Sequence, residues 1–362
     1  MLNGIRIIEV EGLGPGPFAA MTLADLGTDV IVVHRKGGNA TPAVAEHSVL
    51  DRGKRSIALD LKDAGDLKVF RALVARADGL IEGFRPGVME KLGLGPEACH
   101  ALNPALVFGR MTGWGQDGPL SHAAGHDLNY ISMSGALWYA SAPGDAPITP
   151  ATLVGDIGGG ALYLALGMLA GIMNAKASGT GTVVDAAIYD GSAHMMNLAM
   201  ALRQAGGFPE ARGTGILDGP HWSRSYRTRD GGWISVQCLE PKFYAIFLDL
   251  LGLSEDADFA GQYDGALWAK ATGRLMEIFA SRTRAEWEAL FLGSDACVAP
   301  VLSPDEAAGH EMNAARKAWG EAEGVLQAAP APRFAGQGAW QPALGPTRDA
   351  HRAEILAEIG VT

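Results

Sequence analysis

Two stretches of the sequence carry residue types able to move a proton. Gly125-His126-Asp127-Leu128-Asn129-Tyr130 sets an imidazole at the start of a helical pattern. Leu153-Val154-Gly155-Asp156-Ile157-Gly158-Gly159-Gly160 sets a carboxylate ahead of another, beside glycines that let a ligand approach the backbone. The first N–H groups of a helix have no intrahelical acceptor, so the backbone next to His126 can stabilise a developing oxyanion. If His126 and Asp156 face one carbon from opposite sides, one can take a proton and the other return one. On the residues alone other readings stand beside this one: Asp156 as a helix N-cap and His126 as a surface polar group.

Three further features could hold an anion. A strand ends in His34-Arg35-Lys36, the run Arg52-Gly53-Lys54-Arg55 precedes another, and Gly83-Phe84-Arg85-Pro86-Gly87-Val88 joins a strand to a helix start. Gly83 and Arg85 make an anion seat there, from backbone N–H groups with a guanidinium beside them. Ligands of open α/β sheets bind at strand carboxyl ends. A solvated loop rim is the competing reading. The turn Gly12-Leu13-Gly14-Pro15-Gly16-Pro17 also invites a dinucleotide reading, but it is not G-x-G-x-x-G. The second strand ends in basic residues, which suit the phosphate of NADP or of a 3′-phosphorylated adenosine rather than the ribose diol of NAD.

The elements that must position these residues follow an α/β pattern. Strands are expected at Ile5–Val10, Val30–Val33, Ser56–Leu61, Gly79–Ile81 and Leu106–Phe108, with helices between them, including Phe18–Leu26. This alternation predicts a large, doubly wound parallel sheet. Mainly helical sequence follows from Gly125, broken by a strand at Val183–Ile188. Residues 1–200 are assigned to the large domain and 208–303 to a smaller α+β domain. In the latter, Trp233–Val236 reads as a strand, and Thr283 and Glu286 are spaced as a capping box. Residues 327–346, rich in Pro, Gly and Ala, read as an extended strap, and Arg348–Ile359 as a last helix.

Composition bounds the function. With 29 Lys+Arg against 40 Asp+Glu in 362 residues the net charge is −11, which argues against a nucleic-acid partner. Cys99, Cys238 and Cys297 show no metal-ligand spacing and read as reduced thiols of a cytoplasmic protein. The opening MLNGIRIIEV is not a secretory signal pattern, and the last residues are not a peroxisomal tripeptide. Ile157 to Ala175 lacks charge but is diluted by glycines, so it is expected to be a buried core helix, not a membrane span.

The chain resembles the CaiB/BaiF family, the third class of CoA-transferases. The resemblance rests on GLGPGPFAAMTLADLG (12–27), RGKRSIALDLK (52–62), GFRPGVMEKLGLGPE (83–97), RMTGWGQDGP (110–119), AGHDLNYISMSG (124–135), LVGDIGGG (153–160), GTGTVVDAAIYDGS (179–192), LEPKFY (239–244) and SDACVAPVL (294–302). It implies an interlocked homodimer, with residues 304–362 as a crossing segment and a C-terminal helix returning to the large domain. It also implies an acyl-CoA substrate, so that CoA is part of the substrate and no separate cofactor is needed. Arg35 would pair with a CoA phosphate, and Ala58, Leu59, Asp60, Leu61, Gly83, Arg85, Gly125 and Tyr130 would border the bound thioester.

In the family's racemase branch the resemblance makes His126 and Asp156 the two acid/base groups on the α-carbon of a 2-methylacyl-CoA. The backbone N–H of Asp127 would stabilise the enolate oxygen, and Glu240 would hydrogen-bond the histidine. In the transferase branch the residue matching Asp156 is a nucleophile that forms an acyl-aspartyl anhydride. The string GHDLNY favours the racemase pattern. The segment Pro220-His221-Trp222-Ser223-Arg224-Ser225 and Thr152 depart from it, which points to a different acyl group or a related α-proton reaction.

Overall fold

The computed structural model describes residues 1–38, 45–336 and 338–361. Six parallel strands, β1 (Arg6–Val10), β2 (Asp29–Arg35), β3 (Arg55–Leu59), β4 (Gly79–Glu82), β5 (Val107–Thr112) and β6 (Thr182–Ala187), form one sheet in the order β3-β2-β1-β4-β5-β6. The order reverses beside β1, and a crevice at such a reversal is where a doubly wound sheet takes a ligand. The first helix spans Pro15–Asp25 and starts earlier than its apolar run, because Pro15 supplies a preset φ where no intrahelical donor is needed. Strand β3 stops at Leu59, so Asp60 and Leu61 open the following loop.

Apolar clusters cover both faces of this sheet. Phe70, Leu73 and Ile355 pack on one side with Ile8, Ile31 and Ile57. On the other, Ala19, Leu23, Leu164 and Met168 pack with Ile7 and Val107. The long helix Leu162–Ser178 belongs to the second face and lies close to it, since a Cβ at Gly171 would sit 2.7 Å from Val107 Cγ1. Only one side of this helix is buried. Leu162, Leu166 and Met173 form an exposed apolar stripe on the other, which corrects the expectation of a buried core helix.

The outer edge of β3 is closed by the C-terminal segment. Ser56 N donates to His351 Nδ1 and Ser56 O accepts from His351 N, at 3.1 and 3.0 Å. Ala58 N donates to Asp349 Oδ1 at 2.6 Å, and Ala58 O accepts from Arg352 Nη1 at 2.9 Å. Residues 348–351 are therefore not helical as expected, and the last helix spans Arg352–Ile359. Of the expected strap 327–346, Gln327 and Ala328 lie in an antiparallel hairpin of β10 (Trp319–Ala322) and β11 (Val325–Ala328), a pair that follows in sequence the three strands of the second unit given below. Gln337 lies outside the described residues.

The basic run before β3 is internal scaffolding. Arg52 holds Asp25 at 2.7 Å, Lys54 is buried against Glu9 at 2.5 Å and Asp51 at 3.2 Å, and Arg55 holds Asp29 and Glu358, both at 2.7 Å. Arg52 and Lys54 precede the strand and Arg55 opens it, at the opposite end from the carboxyl ends where a ligand is expected.

The chain separates into two compact units, Met1–Leu137 with Thr149–Met195 and His310–Thr362, and Trp138–Ile148 with Met196–Gly309. The second contains an antiparallel sheet of β7 (Ser223–Arg227), β8 (Trp233–Gln237) and β9 (Val298–Pro300). Its core gathers Trp222, Tyr226, Phe247, Phe279 and Phe291. The capping box forms, Thr283 N reaching Glu286 Oε2 at 2.7 Å and Glu286 N reaching Thr283 Oγ1 at 3.2 Å.

Candidate active site

Two cavities open beside the reversal point of the parallel sheet, and Val10 and Phe84 line both. The first, of about 630 Å³, is bordered by Glu11, Arg35, Lys36, Leu59, Asp60 and Leu61. The second, of about 570 Å³, is bordered by Gly14, Arg85, Trp114, His126, Tyr130 and Asp156, with Gly83 and Gly125 in its wall. The imidazole and carboxylate singled out from the sequence thus line one cavity.

His126 is the N-cap of the helix Asp127–Ser134, and its N–H donates to Asn129 Oδ1 at 3.1 Å. Tyr130 lies edge-on to Trp114 with ring centroids 4.8 Å apart, and its hydroxyl donates to Gly125 O, tying down the loop that enters His126. The Asp127 amide sits in the first turn, where N–H groups have no intrahelical acceptor.

Asp156 lies in a π-helical segment, Leu153–Ala161, whose wider turn is visible in the bond from Ile157 N to Thr152 O at 3.0 Å. The buried carboxylate of Asp127 braces this segment: its Oδ1 accepts from Gly155 N at 2.9 Å and from Asp156 N at 2.8 Å. Only glycine fits at 155, since a Cβ there would lie 2.5 Å from the same oxygen. Burial raises the Asp156 carboxyl to about 6, Asp127 adds to the rise, and His126 opposes it. A carboxyl group tuned towards neutrality can both accept and release a proton.

In the first cavity, Arg35 is exposed at the rim. Its N–H donates to Glu11 Oε2 at 2.7 Å and its carbonyl accepts from Arg348 Nη1 at 3.2 Å. Arg348 also grips both oxygens of Glu11, at 3.0 and 2.7 Å. Burial works to raise the Glu11 carboxyl, but the approach of His34 at 3.4 Å and hydrogen bonds from Arg348 and the Arg35 amide hold it well below the usual range. Lys36 is held by Asp66 at 2.5 Å. Ala58 is buried behind this wall with its amide and carbonyl taken by Asp349 and Arg352.

Arg85 is exposed in the second cavity, beside a turn rather than a long helix, since Val88–Lys91 is a single turn. Three residues earlier Glu82 is buried, accepts from Phe84 N at 2.7 Å and from Arg110 Nε at 3.1 Å, and is raised to about 6 by burial. Glu240 belongs to the second unit, where it is the N-cap of the helix Pro241–Leu251. Three contributors escape a reading of the sequence: the Asp127 side chain, Arg348, and Trp114, whose buried Nε1 has no hydrogen-bond partner. Asp127 adjoins a singled-out residue and Trp114 lies in the matched RMTGWGQDGP, but nothing local marks Arg348.

The profile of CoA-transferase family III matches residues 2–352. The chain is 40% identical over 364 residues to an alpha-methylacyl-CoA racemase of Mus musculus, covering 99% of this chain and 93% of that one. A racemase of the same name from Homo sapiens is also 40% identical, over 87% of this chain and 81% of its own. The succinyl-CoA–L-malate CoA-transferase alpha subunit of Chloroflexus aurantiacus is 32% identical over 67% of this chain and 59% of its own. Among solved structures, a CAIB/BAIF family protein from Brucella suis superposes with a TM-score of 0.84 at 27% identity, covering 99% of both chains.

Proposed function

Because this chain belongs to CoA-transferase family III, we propose that it is a racemase acting on the α-carbon of 2-methylacyl-CoA thioesters. The observation that carries this reading is that His126 and Asp156 line one cavity with the Asp156 carboxyl raised to about 6. The 40% identity to alpha-methylacyl-CoA racemases supports it.

In this mechanism the nucleotide end of CoA takes the first cavity, with Arg35 against a phosphate, and the acyl end passes Phe84 into the second. One of Asp156 and His126 removes the α-proton. The C–H electron pair moves into an enolate whose oxygen accepts a hydrogen bond from Asp127 N–H. The other group then delivers a proton to the opposite face. The reaction neither oxidises nor reduces, so it needs no cofactor beyond the CoA of the substrate. The exposed apolar stripe of Leu162, Leu166 and Met173 is assigned to contact with a second copy in a homodimer, and three free cysteines suit a cytoplasmic setting.

The test is interconversion of the two enantiomers of a 2-methylacyl-CoA, followed in D2O. His126→Ala and Asp156→Ala each lower interconversion by about 100-fold or more, and retained interconversion in either overturns the two-base assignment. The 32% identity to a CoA-transferase favours a second reading, with Asp156 as nucleophile. Adding free carboxylic acids to the same assay separates the two, since only a transferase moves CoA onto them.

A further inference from the structure

The second unit holds a cavity of about 670 Å³ that the α-proton chemistry does not use. Its wall includes Tyr139, Asp218, Arg224, Thr228, Trp233 and Thr272. Side chains alternate along a strand, and on β7 this puts Arg224 on the same side as the buried Tyr226, with Ser225 and Arg227 exposed on the other. Arg224 therefore points inward, where its Nη1 reaches only the Thr272 hydroxyl, at 3.4 Å. Its Nε is buried without a hydrogen-bond partner.

Four arginines of this unit pair with carboxylates, Arg203 with Glu210, Arg229 with Glu286, Arg274 with Asp256 and Arg284 with Glu306, while Arg227, in the same cavity wall, is exposed to solvent. Arg224 has no such carboxylate among the described residues. Asp218, in the same wall, has both oxygens taken by the amides of Gly213 and Gly215, at 2.7 and 2.9 Å. His221 is buried and lowered to about 4, by burial first and then by the Arg224 charge, so it stays neutral. A half-buried guanidinium with unused donors is costly to desolvate unless an anion completes it.

We propose that this cavity binds an organic carboxylate, with Arg224 as its counter-ion. A guanidinium matches the two oxygens of a carboxylate in one plane. Tyr139 and Trp233 offer apolar wall to the carbon chain, and the negative Asp218 disfavours a doubly charged phosphate. The carboxylate can arrive as a free acid or at the far end of an acyl thioester. The proposal does not depend on the racemase reading, because it is tested by binding alone.

Calorimetric titration of the full chain separates these cases. Adipate is compared with its uncharged diamide, and adipoyl-CoA with hexanoyl-CoA, in the wild type, Arg224→Gln and Arg224→Lys. If the ligand is a free acid, adipate binds, the diamide does not, and Arg224→Gln weakens adipate by about tenfold or more with partial retention in Arg224→Lys. If it is a thioester, the same loss appears for adipoyl-CoA and is absent for hexanoyl-CoA. Equal affinities of wild type and Arg224→Gln for both charged probes, in protein of unchanged circular dichroism, overturn the proposal. So does a wild type that does not prefer either charged probe to its neutral counterpart.

Discussion

The side chain of Asp127 holds the main chain of Asp156, accepting its N–H at 2.8 Å. The residue that follows the histidine therefore fixes the position of the carboxylate 29 places further along. Its negative charge also makes Asp156 harder to ionise. Replacing it changes position and proton affinity separately. Asp127→Asn keeps an oxygen for the two amides and removes the charge. In the direction in which Asp156 takes the proton, activity falls below about pH 6 in the wild type, and this limb moves to lower pH in Asp127→Asn. Asp127→Ala loses the brace and lowers kcat by about 100-fold. Rate–pH profiles of α-hydrogen exchange in the two variants check both expectations.

Asp156 also costs stability. Its carboxyl ionises at about 6 in the folded chain against 3.8 when unperturbed, with burial as the main cause. Below the lower value both states are protonated. As pH rises through the higher one, the folded state carries a charge that the unfolded chain bears more easily. Asp156→Asn, although inactive, melts higher than wild type at pH 8, by on the order of 1 °C because the site is partly solvated. The two proteins converge near pH 4. Thermal scans at both pH values check this.

Lys54 and Glu9 form a buried pair at 2.5 Å. Lys54→Met strands Glu9 in the core, where burial already raises its carboxyl, and lowers unfolding free energy by about 3–5 kcal/mol. Adding Glu9→Gln restores much of the loss, since the stranded charge is gone. Urea unfolding of the single and double variants measures the difference.

The stripe of Leu162, Leu166 and Met173 is the expected contact with a second copy. Leu166→Glu with Met173→Glu places charges there and yields monomer in sedimentation velocity, with far-UV circular dichroism unchanged because both side chains point away from the core. An unchanged sedimentation coefficient rules this stripe out as a contact with a second copy.

Much of the parallel sheet was legible because its strands are short β-branched runs such as Val30–Val33, bounded by turns. The antiparallel β10 and β11 were not, since Trp-Gly-Glu-Ala and Val-Leu-Gln-Ala carry little strand pattern and are held by pairing with each other. His126 and Asp156 stood out because helix starts and glycine runs mark them locally. The brace from Asp127 did not, because one carboxylate joining two distant amides has no signature in spacing. The run Arg52–Arg55 misled for a related reason: basic residues look alike in sequence whether they face a ligand or, as here, Asp25, Glu9 and Asp29.

Asp349, His351 and Arg352 occupy the outward backbone groups of β3, while Arg348 of the same segment grips Glu11 beside the first cavity. A single stretch of tail thus serves as selvedge to the sheet and as doorpost to the first cavity. Clipping the chain ahead of Arg348 would leave an open strand ready to zip onto neighbouring molecules, and would release Glu11 and the Arg35 carbonyl in the same stroke. Solubility and the shape of the cavity mouth are in this way tethered to one short ribbon, and a protease that removed it would erode both together.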